Sequence, residues 1–294
     1  METVVQTAVN ALSLGGLYAL LALGIALIFG IMGLINFAYG ELMMIGGYAL
    51  VLVSGQPLPI ALAMTAAVVV FAALLMERIA FRPVRNADPT TLLVTSFALS
   101  YLLQHVAILI FGSFPRSTSV GSGLDNAVHV GGIAVSKVDI AVIVVAALLI
   151  SALAVVVGRT TTGIRMRAAA EDFVMARLVG VRADRIVAIG FAISGLLAAT
   201  AAYFLVAQTG SVGPTFGVGP VLVAFIATIV GGLGSLPGAV VAGFGLGFVT
   251  AVFQQVLPDS LVPYREAFVF AVVLVTLIVR PEGLIPQRTR AVRV

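Results

Sequence analysis

Residues 186–258 read IVAIGFAISGLLAATAAYFLVAQTGSVGPTFGVGPVLVAFIATIVGGLGSLPGAVVAGFGLGFVTAVFQQVLP, 73 positions without one Asp, Glu, Lys or Arg. A membrane-spanning helix needs about 20 predominantly apolar residues. The stretch therefore holds more than one span and fits three, near 186–207, 219–235 and 238–257. The whole chain has the same character: of 294 residues 61% are hydrophobic and 10% charged, against about 45–50% and about 25% in a soluble domain. Sixteen basic and twelve acidic residues cannot supply a soluble protein of this size with a charged surface. Mean hydropathy is +1.19. The composition predicts an all-α polytopic membrane protein.

Further charge-free stretches lie at 3–40, 42–76, 89–115, 140–158 and 267–279. Arginine gathers between them in three places. Arg78, Arg82 and Arg85 share one short loop, and Arg159, Arg165, Arg167, Arg177, Arg182 and Arg185 share a longer one. Arg280, Arg288, Arg290 and Arg293 make the tail. The positive-inside rule places loop 77–88, loop 159–185 and the C-terminus in the cytoplasm. Parity then requires one outward span near 90–112, an external loop 113–138, a return near 139–158, three spans in 186–258 and a last one near 263–280. The first 76 residues fit three crossings, or two and a re-entrant segment. The expectation is thus 8–9 transmembrane helices in a plasma (inner) membrane, multi-pass, with the C-terminus cytoplasmic. No Lys or Arg precedes the first apolar stretch, which is too long for a signal h-region, so that segment is expected to stay in the mature protein. The basic clusters follow membrane topology and give no nucleic-acid pattern. Cysteine is absent, which excludes disulfides and thiolate metal sites.

Glycine concentrates at Gly30, Gly33, Gly40, Gly46 and Gly47, and again from Gly231 to Gly247 around Pro237. Interrupted apolar segments in two halves of a chain mark substrate paths in transporters. Small residues four apart, such as Gly243 and Gly247, also serve close helix packing. Some helices are therefore expected to be discontinuous. Glu41 is the one acid deep within a long apolar tract, after Asn36, Tyr39 and Gly40. A charge in hydrocarbon costs at least about 2.5–3.5 kcal/mol, so such a residue faces a cavity or partner. Otherwise Glu41 sits at the cytoplasmic joint of two spans, hydrated or capping a helix. His105, with Ser100, Tyr101 and Gln104, reads as a hydrogen-bonding member of a helix interface, or as a proton relay.

In loop 159–185, Met166, Ala169, Ala170, Phe173, Ala176 and Val179 recur near the helical period, with charges on the other faces. Gly180 fits a C-terminal cap. An exposed helix with a small apolar face would suit a groove on a partner protein; the alternative is a helix lying on the bilayer surface. The lone lysine, Lys137, has neither the preceding glycine nor the following hydroxyl of a P-loop, so ATP is not bound by that route. Gly234-Ser235 has no GxSxG pattern around it, and there is no paired-Asp membrane protease motif and no HExxH. No enzyme activity is expected.

Segment 13–50, with Asn36-Phe37-Ala38-Tyr39-Gly40-Glu41 at its centre, resembles the N-terminal signature of the LivH-type branched-chain amino acid ABC transporter permeases. That family usually has His where Tyr39 stands. Segment 168–181, with Ala170-Glu171-Asp172 and Gly180-Val181, resembles the family's cytoplasmic coupling loop, and 225–247, with Gly231-Gly232-Leu-Gly234-Ser235-Leu-Pro237-Gly238, resembles its third signature. The resemblance implies an ABC importer permease fold, a single membrane domain over 1–294 with 159–185 as its coupling loop. It implies no cofactor in this chain, ATP being bound by two cytoplasmic ABC ATPase subunits. A second permease subunit (a related chain or another copy), an external solute-binding protein and membrane lipid complete the implied partners. Ala169, Ala170, Glu171, Asp172, Phe173 and Gly180 become the expected ATPase-coupling residues, and Asn36, Tyr39 and Glu41 the expected translocation path. Permeases for urea and short amides share these motifs. An ion-driven transporter using Glu41 and His105, and a non-transporting scaffold, are the remaining alternatives.

Overall fold

The computed structural model describes residues 2–118, 127–130 and 133–285. It is built from helices: α1 (Glu2–Met32), α2 (Tyr39–Leu52), α3 (Leu58–Met76), a π-helical turn (Glu77–Phe81), one further turn α4 (Arg82–Val84) and α5 (Pro89–Phe111). There follow α6 (Lys137–Arg159), α7 (Thr161–Glu171), α8 (Phe173–Leu178), α9 (Ala183–Thr209), α10 (Val218–Gly231), α11 (Leu236–Val256) and α12 (Arg265–Val279). A 3-10 turn (Val262–Tyr264) before α12 and two small antiparallel pairings complete the described chain, Arg116–Ser117 with Ser211–Val212 and Ala127–Val130 with Ile133–Ser136.

Seven helical segments are long and apolar enough to cross a membrane, at Val5–Met32, Leu58–Val84, Pro89–Phe111, Lys137–Arg159, Ala183–Thr209, Leu236–Val256 and Val262–Val279. The chain is a multi-pass membrane protein. The apolar helices α2 and α10, with 14 residues each, are too short to do so alone. Each takes up a leg that a non-helical stretch begins. Gly33, in the left-handed region at φ +66°, ends α1 and turns the chain back. Leu34, Asn36 and Ala38 then run inward, fully buried, before α2 starts. In the same way residues 213–217 lead from the short strand at Ser211–Val212 to the start of α10. With both short helices counted, nine legs result.

The two ends of the bundle are chemically distinct. The start of α1, the start of α6 and the last turns of α9 and α11 share one end, around a cavity of about 410 Å³ lined by Asn10, Asp139, Gln208 and Gln254. Ser13 donates to Asp139 there at 2.7 Å. At the other end, ion pairs from Arg82 and Arg85 to Asp184 join the loop after α3 to the start of α9. The chain beyond α12 reaches the same end, where Leu284 N–H donates to the Val230 carbonyl. The arginine clusters of 77–88 and 159–185 therefore lie at one end, with the chain after Arg280; Arg288, Arg290 and Arg293 lie outside the described residues.

At the core α1 and α9 pack side by side. Helix α1 packs on α10 and α11, and α9 packs on α2 and α3. A long helix, a short helix and a long helix thus occur twice, each short helix leaning on the first helix of the other triplet. The two first helices run in opposite directions, since α1 ends and α9 begins at the arginine-rich end. The sequence carries this relation only as shared glycine richness. Gly243 and Gly247 bring α11 against the backbone of α1 at Ala19 and Gly15, the close-packing role expected for that pair. Helices α5, α6 and α12 form the periphery, exposing apolar side chains such as Leu109, Leu148 and Ile278.

Candidate functional site

The first group of candidate residues sits where the two short helices begin. Gly40, in the first turn of α2, meets Gly217, just before α10, so closely that a Cβ on either would collide with backbone of the other. Two helix N-termini, each carrying roughly half a positive elementary charge, therefore start side by side within the apolar body. Asn36, Tyr39 and Glu41 are all buried around this point. Glu41 Oε1 accepts hydrogen bonds from Ser100 Oγ at 2.8 Å and Gln104 Nε2 at 2.8 Å, both on α5. Glu41 Oε2 and Asn36 Oδ1 find no donor among the described residues. Asn36 Nδ2 lies 4.0 Å from Met76 Sδ. The Tyr39 ring closes on Gly24 of α1, beside Ser194, whose hydroxyl donates to the Gly24 carbonyl at 3.0 Å.

Glu41 is thus neither a hydrated interfacial group nor a helix cap, one of the two placements the sequence left open. It is 1% exposed and held by α5. The polar residues Ser100, Tyr101, Gln104 and His105 of α5 also divide. Ser100 and Gln104 turn to Glu41, whereas the His105 ring packs against Tyr101 in a tilted arrangement, centroids 4.0 Å apart, and bonds the Tyr101 carbonyl of its own helix at 2.8 Å. No hydrogen bond joins His105 to Glu41 among the described residues, and the relay suggested for that pair has no direct link. The i,i+4 spacing of Ser100 with Gln104, and of Tyr101 with His105, already contained this division.

The second group is the loop at the arginine-rich end. The expected single helix across 166–180 is two helices, α7 and α8. The break falls at Asp172, whose extended backbone (φ −149°) and side chain cap α8 by accepting from Met175 N–H at 2.8 Å. Thr160 caps α7 in the same way. Gly180, at φ +86°, closes α8 with a bond from the next residue, Val181, to the Ala176 carbonyl.

The small apolar face faces inward. Met166, Ala169 and Ala176 are buried, with Ala170 and Phe173 partly so, because α7 packs on α1, α6 and α9. Small side chains permit that close approach. The apolar residues presented outward are Ile164, Val174, Met175, Leu178 and Val179, beside the exposed acids Glu171 and Asp172. The expectation of an exposed alanine-rich face is corrected accordingly.

Arg85 was legible in the sequence only as a topology signal. Its guanidinium bonds Glu77 at 2.5 Å and Asp184 at 2.6 Å, and lies 5.8 Å from the Phe173 ring centroid. Its side chain is 10% exposed and that of Glu77 6%. One side chain therefore ties the π-helical turn after α3, the first turn of α9 and the helix α8. Arg82 adds a bond to Asp184 at 2.8 Å in a more exposed position.

Residues 7–277 match the family model described as branched-chain amino acid transport system / permease component. The chain is 33% identical to the high-affinity branched-chain amino acid transport system permease protein BraD of Pseudomonas aeruginosa, covering 95% of both chains. It is 32% identical to the permease protein LivH of Escherichia coli, covering 95% of this chain and 94% of that one. A probable LivH of Methanocaldococcus jannaschii is 26% identical, with 94% and 90% covered.

Proposed function

This chain belongs to the permease component family of branched-chain amino acid transport systems, and from that membership we propose that it forms half of the translocation path of an importer for branched-chain or other small amino acids. Permeases of this family are transport proteins of the inner membrane. In the proposed assembly a second permease subunit lies alongside, two ABC ATPase subunits bind the arginine-rich end, and an external solute-binding protein delivers the solute at the other. The arginine-rich end and the C-terminus are then cytoplasmic, in keeping with the positive-inside rule, and residues 1–294 act as one membrane domain.

The observation that carries this reading is the meeting of two interrupted legs inside the apolar body at Gly40 and Gly217, with Asn36, Tyr39 and Glu41 around it. Interrupted legs of this kind put polar groups at membrane depth where a solute passes. Unpaired buried oxygens on Asn36 and Glu41 suit the donors of an amino acid's ammonium group.

For coupling, we assign contact with the ATPase to Glu171, Asp172 and the outward apolar face of α8. Ala169, Ala170 and Phe173 transmit motion inward, and Gly180 sets the loop's return into α9. Closure of the ATPase dimer then moves α7 and α8 as a unit, and the packed spans shift between two discrete arrangements.

The test is uptake of labelled leucine into vesicles containing the permease pair and its ATPases, with binding protein and ATP supplied from opposite sides. Uptake that requires both ATP and the binding protein is the expected result. Uptake abolished by an uncoupler and indifferent to ATP would overturn the assignment. Preference for urea or acetamide over leucine would overturn the substrate.

A further inference from the structure

We propose that the cavity between the arginine-rich ends of α3 and α9 binds a phosphate-bearing anion, presented by the headgroup of an anionic lipid. The cavity measures about 690 Å³ and is lined by Arg78, Arg82, Arg177, Arg182 and Arg185. Glu77 and Asp184 also line it, but Asp184 is engaged by Arg82 and Arg85 and Glu77 by Arg85, whereas Arg78, Arg177, Arg182 and Arg185 form no ion pair among the described residues. A second cavity of about 400 Å³ adjoins it, sharing Arg182 and Arg185 and adding Arg165 and Thr162. Several like charges around shared space repel one another and draw a counter-anion. Guanidinium groups match the tetrahedral oxygens of phosphate with paired N–H donors, which favours that class over a simple halide.

The apolar part of the wall selects the lipid form. Leu74 and Ala188 line the cavity from within the spans α3 and α9. Further along the same helix faces, at helical spacing, Phe71 and Leu196 remain exposed. A headgroup seated among the arginines would therefore have its acyl chain beside apolar side chains of both spans. Basic pockets between spans at a membrane interface are the sites that take such headgroups. This inference is independent of the solute that the permease carries.

The experiment uses the full-length chain in detergent micelles and measures retention of spin-labelled phosphatidylglycerol against spin-labelled phosphatidylcholine. The wild-type chain should retain the anionic lipid selectively. The double variant Arg78→Gln/Arg182→Gln should lose that selectivity by roughly tenfold or more, while Arg159→Gln, outside the cavity, keeps it. A melting temperature close to wild type establishes that the variant is folded. If the double variant fails to fold, Arg182→Gln alone, at an exposed position, carries the test. Displacement of the lipid by millimolar inorganic phosphate would assign the same site to a soluble phosphate. Absence of selectivity, or selectivity that survives the double variant, overturns the proposal. Loss of bound ATPase subunits with lipid retention unchanged overturns it in favour of a protein-docking surface.

Discussion

The carboxylate of Glu41 is fixed at one oxygen by two donors from α5 and unpaired at the other. Glu41→Leu takes their acceptor from the Ser100 hydroxyl and the Gln104 amide, which keep only the 3.2 Å bond from Gln104 to Ser100, at a cost of about 1–3 kcal/mol. Adding Gln104→Leu removes one stranded donor, so the double variant should unfold at a higher temperature than Glu41→Leu alone. Thermal unfolding in detergent reads this directly, and strictly additive losses would deny the coupling. Glu41→Gln keeps shape and hydrogen bonding at Oε1, so it should leave the unfolding temperature nearly unchanged while lowering leucine uptake. The depth of Glu41 could not be read from the sequence, because a lone acid between two apolar tracts fits a joint between spans equally well. What decides is Gly33, which turns the chain back before Asn36, so that Glu41 enters the apolar body instead of resting at its edge.

At the scale of elements, the spans were the most legible part of the sequence. Arginine clusters between apolar tracts at one end, with only single arginines such as Arg116 and Arg265 at the other, and parity then orders the long helices from α3 onward, leaving the first crossings open. The short helices α2 and α10 were half legible, since glycine marked where they break but not that Gly40 and Gly217 meet. The split between α7 and α8 was not read, because the apolar period runs unbroken from Met166 through Val179 and conceals the capping acid within it. Asp172 is nonetheless a preferred N-cap residue type. Asp172→Ala should destabilise α8 by about 0.5–2 kcal/mol and speed amide exchange across Phe173–Leu178, leaving exchange in α9 unchanged. Glu171→Arg touches no cap. It should preserve membrane insertion and amide protection but reduce co-purification of the ATPase subunits, and undiminished co-purification would remove Glu171 from the docking surface.

For the molecule as a whole, Arg85 is the side chain that joins the arginine-rich loop to both halves of the bundle. Arg85→Ala leaves Glu77 buried without its cation, and breaking such a pair costs about 3–5 kcal/mol. The exposed Arg82–Asp184 contact contributes at most about 1 kcal/mol, so Arg82→Ala should be nearly silent. The informative variant is Arg85→Lys, which keeps the charge but cannot bridge Glu77, Asp184 and the Phe173 ring with one planar group. It should hydrolyse ATP at a near-normal rate in the assembled complex and import leucine slowly. Equal falls in both rates would indicate general damage. Topology reasoning missed this residue because it counts the sign of a charge and not its partners.

The inward face of α7 has a further consequence. Ala169 has no side-chain torsion to yield, and earlier on α7 Gly163 lies so close to the carbonyls of Val156 and Val157 that a Cβ there would collide with them. In the proposed coupling role, a push on this loop would reach the spans without backlash, as through meshed gear teeth with no clearance between them. The quantity that depends on such clearance is stoichiometry rather than speed. Ala169→Met, which inserts three rotatable bonds into the mesh, should raise the number of ATP molecules consumed per leucine imported even where the turnover of ATP is unchanged. Slip, measured as that ratio, is what the small residues of α7 would suppress under the proposed coupling role, and an unchanged ratio in Ala169→Met would deny it.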